Sequence, residues 1–280
     1  MRRVDTNITV QTVTTALTRE PGLGTVRSFR HPLADGAATT VHAAVYDRAV
    51  ATLEVVAMIP AEQLGAWCAR AGVADAIVGG FFVTPVGTPL GELWIGGGRR
   101  DTTPFDAPWG AVRSCVAIDG DRIGLGPRDT FPVRPAGDLL QAGPLLARGG
   151  VVAAAAVDDR EGFSAGSAQF DSDIRDGRHP RAALGVDGDR IIAVTCDGRG
   201  DGEAGLTMPE LAGLMVDLGA HDAINLDGGG SATLIAGGRM RNRPRGSWGV
   251  DLVGGRPLAT ALAIRPRAPG QRRATPDTAS

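Results

Sequence analysis

Glycine occupies 41 of the 280 positions, about twice its usual share, and no other feature restricts the fold as strongly. Together with 18 prolines it divides the apolar residues into short runs. No Gly-X-Y period accompanies it, which excludes a collagen-like rod. The runs are rich in valine, isoleucine and alanine and fall at 40–45, 51–57, 76–78, 93–95, 114–118, 151–156, 182–186, 191–195, 223–226 and 232–235. Short apolar runs between glycine and proline punctuation predict strands. Two segments carry a helical period instead. Over 207–219, Met208, Leu211, Leu214, Met215 and Leu218 share a face, Thr207 and Glu210 form a capping box, Pro209 lies in the first turn and Gly219 stops the helix. Over 60–72, Leu64, Trp67, Cys68 and Ala71 share a face and Gly72 follows.

Composition excludes several classes of chemistry. With 29 basic and 31 acidic residues and a net charge of −2, nothing drives the chain toward nucleic acid or an anionic membrane. Every basic residue is arginine, so a Schiff-base lysine, a Walker A lysine and a Ser–Lys pair are impossible. Arginine also offers a forked donor set suited to phosphate. Cys68, Cys115 and Cys196 lack CxxC spacing, which argues for buried thiols and against a disulfide framework or structural zinc. His31, His42, His179 and His221 lack ligand spacing, so neither a metal nor another cofactor is expected.

No apolar stretch approaches the roughly 18 residues of a membrane span. Polar Asp5, Thr6 and Asn7 follow Arg2 and Arg3, where a signal peptide would be apolar. A cytoplasmic location is the expectation, or secretion if a natural leader precedes these residues. Oligomeric state leaves no mark in the sequence.

One internal similarity stands out. Gly72-Val-Ala-Asp-Ala-Ile77 and Gly219-Ala-His-Asp-Ala-Ile224 share Gly, Asp, Ala and Ile in register. Each runs from helix to glycine stop to short strand to glycine turn, the turns being Gly79-Gly80 and Gly228-Gly229-Gly230. In this register Val78 corresponds to Asn225. A true duplication would place both turns at equivalent strand ends, converging on one cleft; chance likeness of two helix-to-strand units is the plain alternative.

The strongest polar constellation is Asn225-Leu-Asp-Gly-Gly-Gly-Ser231. Consecutive glycines cost chain entropy, and they let backbone amides approach an anionic ligand. Asn225 and Asp227, two apart on a strand, project from one face. A second cluster, Asp197-Gly-Arg199, follows an apolar run; its carboxylate could be held ionised by the arginine, or it could be an ordinary Asp-Gly turn. Arg181 opens another run, and a solvated charge at a strand end is its bland reading. Glu210 is explained by its cap. Gly162-Phe-Ser-Ala-Gly166 matches a nucleophile elbow, and with Asp197 and His221 gives a Ser, Asp, His order. Its context disagrees, because Asp158, Asp159, Arg160 and Glu161 precede it where a strand is needed and 170–175 lacks a helical period.

Taken in order, Ala76-Ile-Val-Gly-Gly-Phe-Phe82, Gln141-Ala-Gly-Pro-Leu145, His179-Pro-Arg-Ala-Ala-Leu-Gly185, Asp197-Gly-Arg199, Leu206-Thr-Met-Pro-Glu-Leu-Ala212, Asn225-Leu-Asp-Gly-Gly-Gly-Ser231, Asn242-Arg-Pro244 and Arg256-Pro257 resemble the phosphodiester glycosidase family over roughly residues 40 to 264. The chain departs from it at Val78, where the family typically carries asparagine before the first glycine pair. The resemblance implies an α+β fold, a single domain with a mixed β-sheet core and a few packed helices. The family-like domain is expected over 21–264, after an N-terminal segment over 1–20 able to supply an edge strand; the tail over 265–280, with prolines, arginines, threonines and no apolar period, is expected to be disordered.

The resemblance further implies a hydrolase acting between a sugar C1 and a phosphate oxygen, with a carbohydrate or sugar-phosphodiester as partner. Catalytic roles fall to Asp227 and Asp197. Substrate binding falls to Arg181, Arg199, Asn225, Gly228, Gly229, Gly230, Ser231, Gly80 and Phe82, the two arginines and the glycine amides meeting phosphate. Two alternatives stay open: a glycosidase for a neutral bacterial glycan such as an exopolysaccharide, and a non-catalytic binder of sugar phosphates or glycans. A metal-dependent phosphodiesterase is disfavoured by the missing ligand cluster.

Overall fold

A computed structural model describes residues 23–84, 87–164 and 177–268 of the chain. The first part contains β1 (Gly24–Pro32), β2 (Ala38–Asp47), β3 (Ala51–Gln63), α1 (Leu64–Ala71), β4 (Asp75–Val78), β5 (Phe82–Val83), β6 (Thr88–Pro89), β7 (Leu93–Ile95) and β8 (Gly98–Arg99). Then come α2 (Trp109–Val112), β9 (Ser114–Asp119), β10 (Arg122–Pro127), β11 (Asp138–Gln141), β12 (Leu145–Arg148), β13 (Val151–Val152) and α3 (Ala154–Val157). The last part holds β14 (Arg181–Val186), β15 (Arg190–Cys196), α4 (Met208–Asp217), β16 (Asp222–Asn225), β17 (Leu234–Ala236), β18 (Arg239–Met240) and β19 (Pro257–Pro266).

Three sheets carry the fold, ordered β1-β2-β15-β14-β16-β12-β13, β10-β9-β11-β7-β8 and β18-β17-β4-β19-β3, with β5 and β6 as a separate hairpin. The expectation of a mixed sheet is corrected. The ladders among the described residues run antiparallel, and the one parallel pairing is an isolated bridge between Leu90 and Thr103. Tight hairpins such as those joining β9 to β10 and β14 to β15 need no crossover helix, so antiparallel pairing follows. The molecule is mostly β, with α1 and α4 as its longer helices among the described residues.

The central strands of the seven-stranded sheet are buried on both faces. From β14 and β15, Ala182, Leu184, Val186, Ile191 and Ala193 face the main core shared with the other two sheets. Ala183, Ile192, Val194 and Cys196 face the opposite way, against Met208, Leu211, Ala212 and Met215 of α4. A strand covered on both sides has no solvent face to mark with polar residues, which is why these runs read as continuously apolar. In α4, Thr207 Oγ1 accepts from Glu210 N and the Glu210 carboxylate accepts from Thr207 N, the complete capping box. Gly219 follows it at φ +87.

Several expected boundaries move. The helix expected over 60–72 begins at Leu64, because Glu62 and Gln63 are held in the ladder opposite Leu258 and Pro257. The strand expected over 151–156 stops at Val152, and the alanines after it, good helix formers without β-branching, make α3. The strand expected over 232–235 begins at Leu234, after the turn at Gly229–Ser231. The tail does not leave the fold at Arg265: Arg265 and Pro266 end β19, and Arg267 N donates to Val50 O at 2.8 Å. Segments 1–20 and 170–175, and the tail from 269 onward, lie outside the described residues.

Candidate active site

β4 and β16 belong to different sheets, yet their C-terminal ends meet. Asp227 N donates to Gly79 O at 3.0 Å, so the two glycine turns of the internal similarity do converge. Each follows a helix and a left-handed glycine, Gly72 at φ +65 and Gly219 at φ +87. Close approach explains the first glycine pair. A Cβ on Gly79 would lie 2.5 Å from Thr260 Oγ1, and one on Gly80 would lie 2.7 Å from Gln141 O.

Asn225 ends β16, 2 % exposed. Its Nδ2 donates to Gly143 O at 2.8 Å, its N to Pro144 O, and its carbonyl accepts from Gly143 N. Its Oδ1 has no hydrogen-bond partner among the described residues. Buried polar atoms are nearly always paired, and this one lies two residues from Asp227, which is half-buried and accepts Gly228 N on Oδ1 at 3.0 Å.

The glycine turn is less open to anions than its sequence suggests. Gly228 N is taken by the Asp227 carboxylate, Gly229 N donates to Pro180 O at 2.8 Å, and Ser231 N donates to Gly228 O. The expectation that the Gly228, Gly229 and Gly230 amides together cradle a phosphate oxygen is therefore corrected, since two of them bond inside the protein. What the glycines provide is room. At Gly229, φ +57, a Cβ would lie 3.2 Å from Arg199 Nη1; at Gly230 it would lie 2.8 Å from Arg256 Nη2. Two guanidinium groups thus lie over the turn.

Arg199 itself holds a left-handed backbone, φ +58, and its Nη2 lies 3.5 Å from His179 Nδ1. Arg181 is 3 % exposed, its Nε donating to Leu206 O and its Nη2 to Gly177 O. A Cβ on Gly228 would lie 3.9 Å from Arg181 Cδ, which puts this side chain beside the same turn. Ser231 is buried in the turn. Phe82 packs against the main core from the β5–β6 hairpin.

Asp197 is 4 % exposed, and both its carboxylate oxygens are engaged. Oδ1 accepts from Arg243 N at 2.8 Å, and Oδ2 lies 3.3 Å from His42 Nε2. His42 Nδ1 lies in turn 2.8 Å from Ser28 Oγ. Sequence reasoning misses His42, because its link to Asp197 is made by the β2–β15 ladder, in which His42 faces Thr195. The elbow order of Ser164, Asp197 and His221 does not assemble: the Ser164 hydroxyl is held by Asp159, and the exposed His221 lies 3.4 Å from Asp222.

Behind the Gly143 loop lies a buried polar knot that the sequence does not announce. Glu161 accepts from Ser114 N, Ser114 Oγ and Leu145 N; burial pushes its carboxyl above the ordinary range against the pull of those donors. Arg113 lies 4.2 and 4.4 Å from the Phe105 and Phe163 ring centres and donates to Glu161 O and Gly162 O. Burial pulls its guanidinium down to about 10. Through Leu145 this knot fixes the cradle that holds Asn225.

Among the described residues, no group of three or more His, Cys, Asp or Glu is placed to hold a metal ion. No helix of the described residues is long and apolar enough to cross a membrane.

The phosphodiester glycosidase family model matches residues 71–265. The chain belongs to the phosphodiester glycosidase family. That span contains both glycine turns, Arg181, Asp197, Arg199 and Asp227. No curated protein matches the chain in sequence. Solved structures share the fold, among them the following three. The catalytic domain of zebrafish N-acetylglucosamine-1-phosphodiester alpha-N-acetylglucosaminidase, auto-inhibited by its pro-peptide, has a TM-score of 0.65 at 20 % identity, over 87 % of this chain and 83 % of that one. A hypothetical protein from Synechocystis gives 0.62 at 18 % identity, over 88 % of this chain and 62 % of that one. A Burkholderia pseudomallei protein described as exported gives 0.60 at 19 %, over 82 % of this chain and 74 % of that one.

Proposed function

We propose that this phosphodiester glycosidase family member is a hydrolase that breaks the C1–O bond of a sugar 1-phosphodiester or a related glycoside. What supports the reading is the meeting of the two glycine turns, with Asp227 two residues after Asn225, whose Oδ1 lacks a partner among the described residues, and with Arg181 and Arg199 against Gly228 and Gly229. A phosphodiester is already a weakly basic leaving group, so less is asked of a general acid than in ordinary glycosidases, where two carboxylates divide acid and base work. What is needed is negative charge beside an oxocarbenium-like C1, an acceptor for a sugar hydroxyl, and cations on the phosphate. Asp227 takes the first role, Asn225 Oδ1 the second, and Arg181 and Arg199 the third. Asp197 is assigned to positioning, because His42 and Arg243 N already occupy its oxygens. Water adds its oxygen to C1 and gives up a proton to solvent while the electron pair of the breaking C1–O bond stays on the phosphate oxygen, giving a free sugar and a phosphomonoester.

Hydrolysis of a panel of sugar 1-phosphodiesters, including UDP-N-acetylglucosamine, in oxygen-18 water tests this by mass spectrometry. Label on the sugar C1 hydroxyl supports the reading, and label on phosphate overturns it. A non-catalytic sugar-phosphate or glycan binder is the second reading, favoured by Val78, whose side chain is buried in the main core and offers no polar group to a ligand. It predicts saturable binding without product. A glycosidase for neutral glycans would instead turn over unphosphorylated substrates equally well.

A further inference from the structure

Among the described residues, the two non-glycine residues with positive φ are Arg199 and Trp248. Left-handed backbone is strained for a bulky residue and persists where the surrounding structure enforces it, often at functional sites. The two lie in adjoining loops: a Cβ on Gly249 would fall 2.4 Å from Arg199 O. Trp248 therefore stands one residue from a contact with the residue assigned to phosphate. Its side chain is 99 % exposed. An indole is the largest apolar side chain, and leaving it wholly in water on a strained backbone forfeits the burial that would offset the strain.

The turn that presents it is firmly held. Arg245 Nε donates to Asp251 Oδ1 at 2.8 Å, and Arg243 Nη2 donates to Asp251 Oδ2 at 3.0 Å. These arginines hold the Asp251 carboxyl below the ordinary range. Gly246 N donates to Val250 O, and Leu252 N to Pro244 O, both at 2.9 Å. Arg245 also reaches Gly198 O, and Leu252 packs where Gly230 leaves room. The hairpin is thus fastened to the Asp197–Arg199 loop on one side and to the glycine turn on the other. Rigid presentation of a fully exposed aromatic is the arrangement that binds a flat apolar surface with little loss of conformational entropy.

We propose that Trp248 is a sugar-stacking platform at the rim of the candidate active site, binding the C–H face of a pyranose ring that extends beyond the scissile phosphodiester. This rests on the proposed function and adds to it a substrate class: glycans with at least one ring more than the sugar being released. A pyranose suits the place because one face of the ring is apolar C–H and its hydroxyls stay in water around the exposed indole.

The test separates binding from turnover. With Asp227→Asn protein, titration of chitotriose, maltotriose and cellotriose is followed by tryptophan fluorescence and calorimetry. At least one is expected to bind and to quench, with Trp248→Ala added to that background weakening it about tenfold and Trp248→Phe restoring most of the affinity. In the active chain, Trp248→Ala is expected to raise KM about tenfold for a monosaccharide 1-phosphodiester whose second ester group is a pyranose, far more than for the matching methyl phosphodiester, with the loss confined to KM. If no trisaccharide binds, or if Trp248→Ala binds as tightly as its parent, the platform is overturned, even where hydrolysis is observed. Trp248-dependent binding without any hydrolysis would uphold the platform while overturning the hydrolase.

Discussion

At the scale of single residues, the division of labour between the two carboxylates is open to measurement. Asp227 accepts Gly228 N on Oδ1, a bond that an asparagine oxygen can also accept. Asp227→Asn should therefore fold with an unchanged circular-dichroism spectrum and a melting temperature within a few degrees of the parent, while losing turnover by at least about 10²-fold, in line with removing a group that stabilises transition-state charge. Near-parental turnover would remove Asp227 from the reaction. Asp197 makes the contrary case. Its Oδ2 faces His42 inside the protein, so His42→Leu strands a buried carboxylate oxygen at a cost of about 1–3 kcal/mol, visible as a lower midpoint in denaturant. Asp227 and Asp197 are both legible in the sequence as carboxylates beside glycines. Their different roles are not, because His42 is 155 residues away from Asp197 in the chain and reaches it through strand register alone.

At the scale of elements, sequence signals are legible where local forces decide. The capping box of α4 is fully visible because its partners sit three residues apart, and Leu93–Ile95 is the strand its sequence predicts. β1, β10 and β19 are not foreseen. β1 alternates half-buried and exposed residues along an edge, and β19 is held by partners distant in the chain, β4 on one side and β3 on the other. Two changes in α4 test how its stability is built. Gly213 lies in the helix, and a Cβ added there would meet nothing within 4 Å, so Gly213→Ala should stabilise by about 0.5–1 kcal/mol. Thr207→Ala removes the cap and should cost about 1 kcal/mol. Glu210 adds a pH dependence: its hydrogen bond with Arg178, helped by those from Thr207, holds its carboxyl below the ordinary glutamate range. A depressed acid stabilises the fold above its unfolded pKa and loses that contribution as pH falls through the folded value. Glu210→Gln should accordingly flatten the acid limb of stability against pH below about 4.3, the ordinary value for glutamate, as measured by thermal melts.

At the scale of the whole molecule, the site is a junction. Strand β4 brings Gly79 from one sheet and β16 brings Asn225 and Asp227 from another, and the bond from Asp227 N to Gly79 O closes the seam. The repeat between residues 72–77 and 219–224 foreshadows this meeting, since equal helix-to-strand units end in equal turns; it cannot foretell that the two strands belong to separate sheets. The seam also needs Gly79 to lie hard against Thr260 on β19. A methyl group there would sit 2.5 Å from Thr260 Oγ1 and 2.9 Å from its backbone carbon, and a backbone atom cannot rotate aside. Gly79→Ala should push β4 from β19, with a stability loss of about 1–3 kcal/mol from overpacking and a fall in turnover as the seam parts. Thr260→Ala added to it removes the hydroxyl but leaves the backbone clash, so it should recover only part of the melting temperature. Full recovery by the double variant would mean that the hydroxyl alone sets the spacing and that the ends of β4 and β19 lie side by side with room to spare.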